Sequence, residues 1–360
     1  MIYDIAIIGA GIAGASLAAE LSAHASVLLL EMEDTPGYHT TGRSAAFWST
    51  TYGGPNITPL TLASGAWLAD RGFLKPIGEL HIGRAEDRAV MDDFVSRYTG
   101  SGIVFDAADP QQVIPGVTSD WVLGLRESTC ADIDVGALHG HYLGAARKNG
   151  AAVICRAALA AATHVQEGWE LNTRAGTYHA RTIVNAAGAW ADDVAAQFGV
   201  RPIGITPYRR TMVQLRLAAP LPVSLPIIVD ISGNFYFKPE GADRLWLSPH
   251  DEIASPPCDA APEELDVAIA IARLEDVVDW KIAAVERKWA GLRSFAPDRL
   301  PLYGFDPQVA DFFWFAGQGG FGIQTAPAAA KLAAALLLRH APDVMVAQID
   351  ARRYAPSRFR

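Results

Sequence analysis

Gly9, Gly11 and Gly14 stand in the spacing G-x-G-x-x-G, between a short apolar run and a stretch of small residues. That spacing has a physical use at a diphosphate. Gly9 allows a tight turn, Gly11 lets backbone approach a pyrophosphate, and Gly14 lets the next helix pack closely on the strand. The N–H groups of the first helical turn, which Ile12 and Ala13 lead into as further candidate cofactor contacts, have no partner within the helix. They meet phosphate oxygens at the positive end of the helix dipole. Glu31, followed by Met32, comes 20 residues after Gly11, where an acid accepts hydrogen bonds from a ribose. Together these residues predict a dinucleotide site. By themselves they leave NAD and FAD both open.

Three further stretches carry residues suited to the same ligand. Thr41, Gly42, Arg43, Ser44, Ala45 and Ala46 offer hydroxyls, backbone N–H groups, small side chains and one cation, a set that can hold a diphosphate. The alternative is a solvated loop with an exposed arginine. Residues 182–190 read as a buried strand ending in the small residues Ala187 and Gly188, then Trp190, where a cofactor could lie or the chain could simply turn tightly. Gly319, Gly320, Phe321, Gly322, Ile323 and Gln324 form a second glycine-rich loop ahead of a helix, a potential anion or flavin site.

The elements that position these residues follow from hydrophobic patterning and stop signals. Residues 5–8 and 27–30 read as buried strands around a helix over 15–23. Helices are predicted over 58–71, 85–100, 135–148, 191–198, 262–279 and 325–340. Asp134 is a candidate cap for the third of these, and Asn149-Gly150 its stop. Strands are predicted over 79–83, 151–155 and 312–316, with a hairpin pair at 169–173 and 177–180. Residues 212–217, 227–230, 235–238 and 245–248 alternate as antiparallel strands do. The fold class expected is α/β, a Rossmann-like nucleotide domain with a discontinuous α+β substrate domain built on an antiparallel sheet. The nucleotide domain takes residues 1–45, 139–200 and 289–360; the substrate domain takes 46–138 and 201–288.

Composition excludes other classes. The chain has 360 residues, half of them hydrophobic and 19% charged, enough for a large core. A net charge of −9 argues against a nucleic-acid surface. Cys130, Cys155 and Cys258 lie far apart with no metal-site spacing, as expected in a reducing compartment. Asp4 interrupts the apolar N-terminus, so it does not read as a signal peptide. The apolar stretch 326–338 is too short to span a bilayer and contains Lys331. No metal and no membrane span are expected. The expected location is the cytoplasm, peripheral to the inner membrane if the chain reduces a quinone.

Taken together, GAGIAGAS at 9–16, TGRSAA at 41–46, NAAGAW at 185–190, WAGLRSF at 289–295 and GQGGFGIQT at 317–325 resemble the FAD-dependent amino acid and amine oxidoreductases of the D-amino acid oxidase type. Glycine and sarcosine oxidases belong to that group. PGYH at 36–39 and ADID at 131–134 add a resemblance to the bacterial catabolic D-arginine dehydrogenases. The resemblance spans nearly the whole chain. It implies FAD and oxidation of a D-amino acid, basic or bulky, by hydride transfer to flavin N5. The imine so formed is hydrolysed to a 2-oxo acid and ammonia. The absence of cysteine from the last glycine loop and from the neighbourhood of Arg293 points to non-covalent flavin.

The resemblance also assigns roles. Arg210 and Arg293 match the pair that holds the substrate carboxylate, which a guanidinium can bind through two parallel hydrogen bonds. Tyr236 matches a carboxylate contact, and Tyr52 a position nearer the amino group. Glu79 matches the acid that meets a cationic side chain, while Gly320 and Gln324 match the flavin-side wall. The sequence departs from the D-arginine dehydrogenases at Phe47, where they carry histidine. Phe47 and Trp48 make that wall apolar, suited to a bulky D-amino acid or a cyclic imino acid. The competing readings are an FAD oxidase of glycine, sarcosine or a cyclic secondary amine, a 2-hydroxy acid dehydrogenase, and a flavin-binding subunit docked to a partner. Quinone, another carrier or oxygen remains open as electron acceptor.

Overall fold

The structure, a computed structural model, describes residues 1–222 and 224–359. Two large sheets organise it. In the first, Ala152–Ile154, Val27–Leu30, Ile2–Ile8, Gly176–Asn185 and Phe312–Ala316 lie side by side, all parallel. The near-continuous apolar runs of Val27–Leu30 and Phe312–Ala316, and of residues 5–8, have a plain cause: both faces are covered there. Ile5, Ile7, Val27, Leu29, Phe313 and Phe315 face a core shared with the helices Ile12–Leu21, Val135–Lys148 and Gly322–Leu338. Ala6, Ile8, Leu28, Leu30, Phe312 and Trp314 face the opposite core, closed by Ala191–Gln197 and the hairpin strand Gly168–Thr173.

The second sheet has ten strands. Its longest pairing, near one edge, is that of Thr206–Leu217 with Ile282–Phe295, followed in order by Arg244–Ser248, Tyr236–Pro239, Ile227–Asp230 and Glu79–Arg84. Helix Glu264–Val277 packs on it through Val267, Ala270, Leu274 and Val277. At its edge Gln318–Gly319 pairs with Phe295 and Ser294. The last glycine loop is therefore stitched to the strand that carries Arg293. Phe47–Trp48, Ala131–Ile133 and Leu74–Pro76 form a separate small sheet.

Several expectations need correction. Ile227–Asp230 pairs in parallel with Glu79–Arg84, so the second sheet is mixed rather than purely antiparallel. The expected strand at 177–180 and the buried strand after it are one element, Gly176–Asn185, long enough to pair with the hairpin at one end and with Phe312–Ala316 at the other. Residues 282–295 form a 14-residue strand where no element was expected, and the domain boundary expected at 288/289 falls inside it. The helix expected over 85–100 opens with a tight turn and runs Arg88–Arg97. The last helix starts earlier than expected, at Gly322.

Candidate active site

The fingerprint turn depends on bare backbone. Gly9 has φ of +102°, and a Cβ on it would sit 2.5 Å from the Ala186 carbonyl oxygen; a Cβ on Gly14 would run into the Gly9 carbonyl. Around this turn two side chains tie strand, helix and loop together. Glu31 accepts the Ala10 N–H at 2.9 Å and the Glu33 N–H at 3.0 Å, while Thr41 Oγ1 accepts the Ile12 N–H at 2.9 Å. The helix start, the acid and the TGRSAA loop thus form one cradle.

That cradle opens into a cavity of about 300 Å³. Of the residues expected to bind cofactor, Gly9, Gly11, Ile12, Ala13, Glu31, Met32, Thr41, Arg43, Ser44, Ala45, Ala46, Ala187, Gly188, Trp190, Gly319, Gly320, Gly322, Ile323 and Gln324 line it. Gly14 and Gly42 instead shape the turns, Gly42 by donating its N–H to the Gly37 carbonyl at 2.8 Å. Phe321 packs with Ile57 and Phe295. The Arg43 guanidinium is paired with Asp259 at the surface and donates to the Ala260 carbonyl at 2.8 Å.

At the far end of the same cavity stand Arg210, Arg293, Tyr52 and Tyr236. Strand register explains the arginine pair. Arg210 lies opposite Gly291, and Arg293 opposite Tyr208, on antiparallel strands. Residues 208 and 210 share a face, so the two guanidiniums are diagonal neighbours on it. Both are buried, with 7% and 9% of their surface exposed. Burial, with the Arg293 charge next in weight, pulls Arg210 down to about 10, still charged at neutral pH. Arg293 donates to the Tyr52 hydroxyl, and a Cβ on Gly320 would collide with both groups. The glycine there lets the flavin-side loop press against the arginine. Tyr236 donates its hydroxyl to Met212 Sδ at 3.1 Å and packs edge-on against Phe47, whose ring also meets Tyr52.

Glu79 is the main relocation. It is 3% exposed and does not line the cavity. Ser49 Oγ donates to it at 2.7 Å, and the Ser49 N–H is held in turn by Gln324 Oε1 at 3.1 Å, so a wall stands between Glu79 and the ligand space. Trp48 is also turned away, donating its indole N–H to the Thr61 carbonyl at 3.0 Å, which leaves Phe47 as the aromatic wall. Burial raises the Glu79 carboxyl from 4.5 to about 7. A group so raised keeps a proton that the unfolded chain has released, so its contribution makes the fold less stable as pH rises from about 4.5 to about 7. Glu79→Gln, which imitates the protonated acid, is expected to match the parent near pH 4.5 and to exceed it by about 3 kcal/mol above pH 7. Chemical denaturation across that range checks this, and equal pH slopes in both proteins would refute it.

Sequence reasoning missed the groups that hold the arginines. Asp251 accepts the Thr211 N–H at 2.8 Å and its hydroxyl at 2.9 Å, and its carbonyl receives Arg210 Nε at 2.8 Å. Glu252 contacts both arginines. These residues sit in a loop without periodicity, and only the tertiary pairing of Thr206–Leu217 brings them there.

A glycine-built turn with a helix start and an acid, and a pair of buried arginines, line one and the same cavity, the arrangement of a nucleotide-binding protein with a cationic pocket beside the nucleotide site. The profile of FAD dependent oxidoreductases, DAO, matches residues 4–336, and the chain belongs to that family. The cofactor is FAD, and the cradle fits it: bare glycine backbone, the Glu31 carboxylate and a helix start all face one cavity. The chain is 25% identical to glycine oxidase of Geobacillus kaustophilus, covering 94% of this chain and 93% of that protein. It is also 25% identical to human mitochondrial dimethylglycine dehydrogenase over 98% of its own length but only 44% of that protein's. The solved structure of L-proline dehydrogenase from P. horikoshii has the same fold, with a TM-score of 0.85, 20% identity and coverage of 99% and 98% of the two chains. Among the described residues no helix is long and apolar enough to cross a membrane.

Proposed function

We propose that this protein oxidises an amine that bears a carboxylate, an amino acid or an N-substituted glycine, with FAD as the oxidant. The observation that carries this is the pair of buried guanidiniums, Arg210 and Arg293, at the end of the cofactor cavity. Bound FAD supplies a two-electron hydride acceptor. The chain's own residues bind and orient. Arg210 and Arg293 hold the carboxylate, with Tyr52 beside them, and so point the substrate's Cα–H bond toward the wall formed by Gly319 and Gly320. Holding the reacting bond in one orientation in a water-poor pocket supplies most of the rate gain. The substrate is taken as the neutral amine. Phe47, Tyr236 and Met212 make the side-chain wall apolar.

The names of glycine oxidase and dimethylglycine dehydrogenase support small and N-substituted glycines. A D-amino acid with an apolar side chain, or a cyclic imino acid, suits the Phe47 wall equally. Glu79, shielded by Ser49, gives a basic side chain no exposed partner, so we do not favour D-arginine. Quinone, another carrier or oxygen receives the electrons afterwards, in the cytoplasm or at a membrane face.

The test is anaerobic mixing of the FAD-bound protein with glycine, sarcosine, proline, D- and L-amino acids and 2-hydroxy acids, reading bleaching of the visible flavin band. Bleaching by glycine, sarcosine, proline or apolar D-amino acids is expected. Bleaching by hydroxy acids alone, or by none of them, would overturn the amine reading. Peroxide formation in air then distinguishes an oxidase from a dehydrogenase.

A further inference from the structure

A third arginine and one carboxylate stand against the clamp. Glu252 Oε1 lies 3.4 Å from Arg210 Nη2 and 3.3 Å from Arg293 Nη1. The same oxygen lies 2.9 Å from Arg299 Nη2, and Oε2 is also 2.9 Å from that nitrogen. One carboxylate is thus shared by three guanidiniums, with its short contacts to Arg299 and its long ones to the clamp.

The arrangement is built rather than incidental. Glu252 follows Asp251, which is fixed by Thr211 and Arg210, and precedes Ile253–Ala254, paired with Arg209 and Tyr208. His250 adopts a left-handed backbone, φ 56°, to enter this loop. Arg299 does the same, φ 64°, a conformation that non-glycine residues adopt at a cost, and its guanidinium lies 3.9 Å over the Phe295 ring. Exposure differs across the cluster: the clamp arginines are buried, whereas the side chains of Glu252 and Arg299 are 34% and 50% exposed, so fewer contacts hold the outer pair than the clamp.

Building on the clamp reading, we infer that Glu252 is an internal carboxylate that competes with the ligand's carboxylate for Arg210 and Arg293, and that Arg299 draws it off. Three guanidiniums against Asp251 and Glu252 leave one net positive charge, the match for one monocarboxylate. Glu252 therefore sets both the affinity of the site and its preference for singly over doubly charged acids. Entry of a ligand carboxylate shifts Glu252 fully onto Arg299, where both its oxygens already make their shortest contacts.

The test titrates the FAD-bound protein with acetate and with malonate and follows perturbation of the visible flavin spectrum, with flavin content confirming the fold of each variant. Glu252→Gln is expected to bind acetate roughly five- to tenfold more tightly, the effect of removing one screened charge, and to gain more for malonate than for acetate. Glu252→Ala should move the same way, and Arg299→Gln the opposite way, because Glu252 then stays on the clamp. A purely structural role would not change the malonate-to-acetate ratio. If Arg293→Lys weakens acetate binding while the Glu252 variants bind it unchanged or more weakly, the competition is wrong and the clamp stands. If Arg293→Lys and Arg210→Lys leave acetate binding intact, the clamp reading itself falls.

Discussion

Arg293→Ala is expected to leave a yellow, folded protein whose kcat/KM for whichever carboxylate-bearing amine reduces the parent's flavin falls by a factor of about 10²–10³, the loss expected when one partner of a buried, hydrogen-bonded charge pair is removed. The size follows from burial. Arg293 is 9% exposed, reaches Tyr52 and Glu252, and packs against Gly320 on the flavin side. Its loss removes a fixed two-pronged donor, and the arginines left among the described residues of the cavity lining are Arg210, the other half of the clamp, and Arg43, paired with Asp259. Lysine restores the charge but not the fork, so Arg293→Lys should recover only part of the loss. Because the arginine also orients the reacting bond, kcat falls as well as KM rising. Steady-state kinetics with flavin content measured on each preparation checks this. Unchanged kinetics in both the Arg210 and Arg293 variants would defeat the clamp.

Gly14→Ala should have the larger structural effect. A Cβ at position 14 would run into the carbonyl oxygen of Gly9, and it would also come within 3.3 Å of the Ile7 side chain. Neither the turn nor the buried strand can give way without moving the helix start off the phosphate site. Overpacking of this kind costs about 1–3 kcal/mol, and more where only backbone can move. The expected product is a protein purified largely without flavin, with a lowered Tm that added FAD restores only in part. Absorbance-derived flavin stoichiometry and a thermal scan measure it; full FAD occupancy with an unchanged Tm would refute the close-packing argument.

Much of the nucleotide half was legible because its information is local. A run such as Ile5 to Ile8, flanked by glycines with fixed offsets and followed by Glu31, carries its meaning in the neighbouring residues. The helix Val135–Lys148 was readable for the same reason: Asp134 accepts the Ala137 N–H at 2.9 Å, a cap written one residue before the element. The long strand Ile282–Phe295 was harder, since its first half is largely exposed and its sequence shows no clean alternation. Its existence depends on pairing along the whole of Thr206–Leu217, a non-local partner.

The site divides along the same line. Residue types and spacings by themselves pointed to a dinucleotide cradle, while the two arginines that line the same cavity were singled out only by the family resemblance. Only the tertiary structure decided which polar groups face that cavity. Glu79 and Trp48 are turned into the protein because Ser49 and Thr61 offer hydrogen-bond partners there, whereas Glu252, unremarked in its loop, is brought onto the arginines by strand pairing and by Arg299. A side chain's role at a site depends on the direction it points, and that direction is set by contacts between residues far apart in the chain.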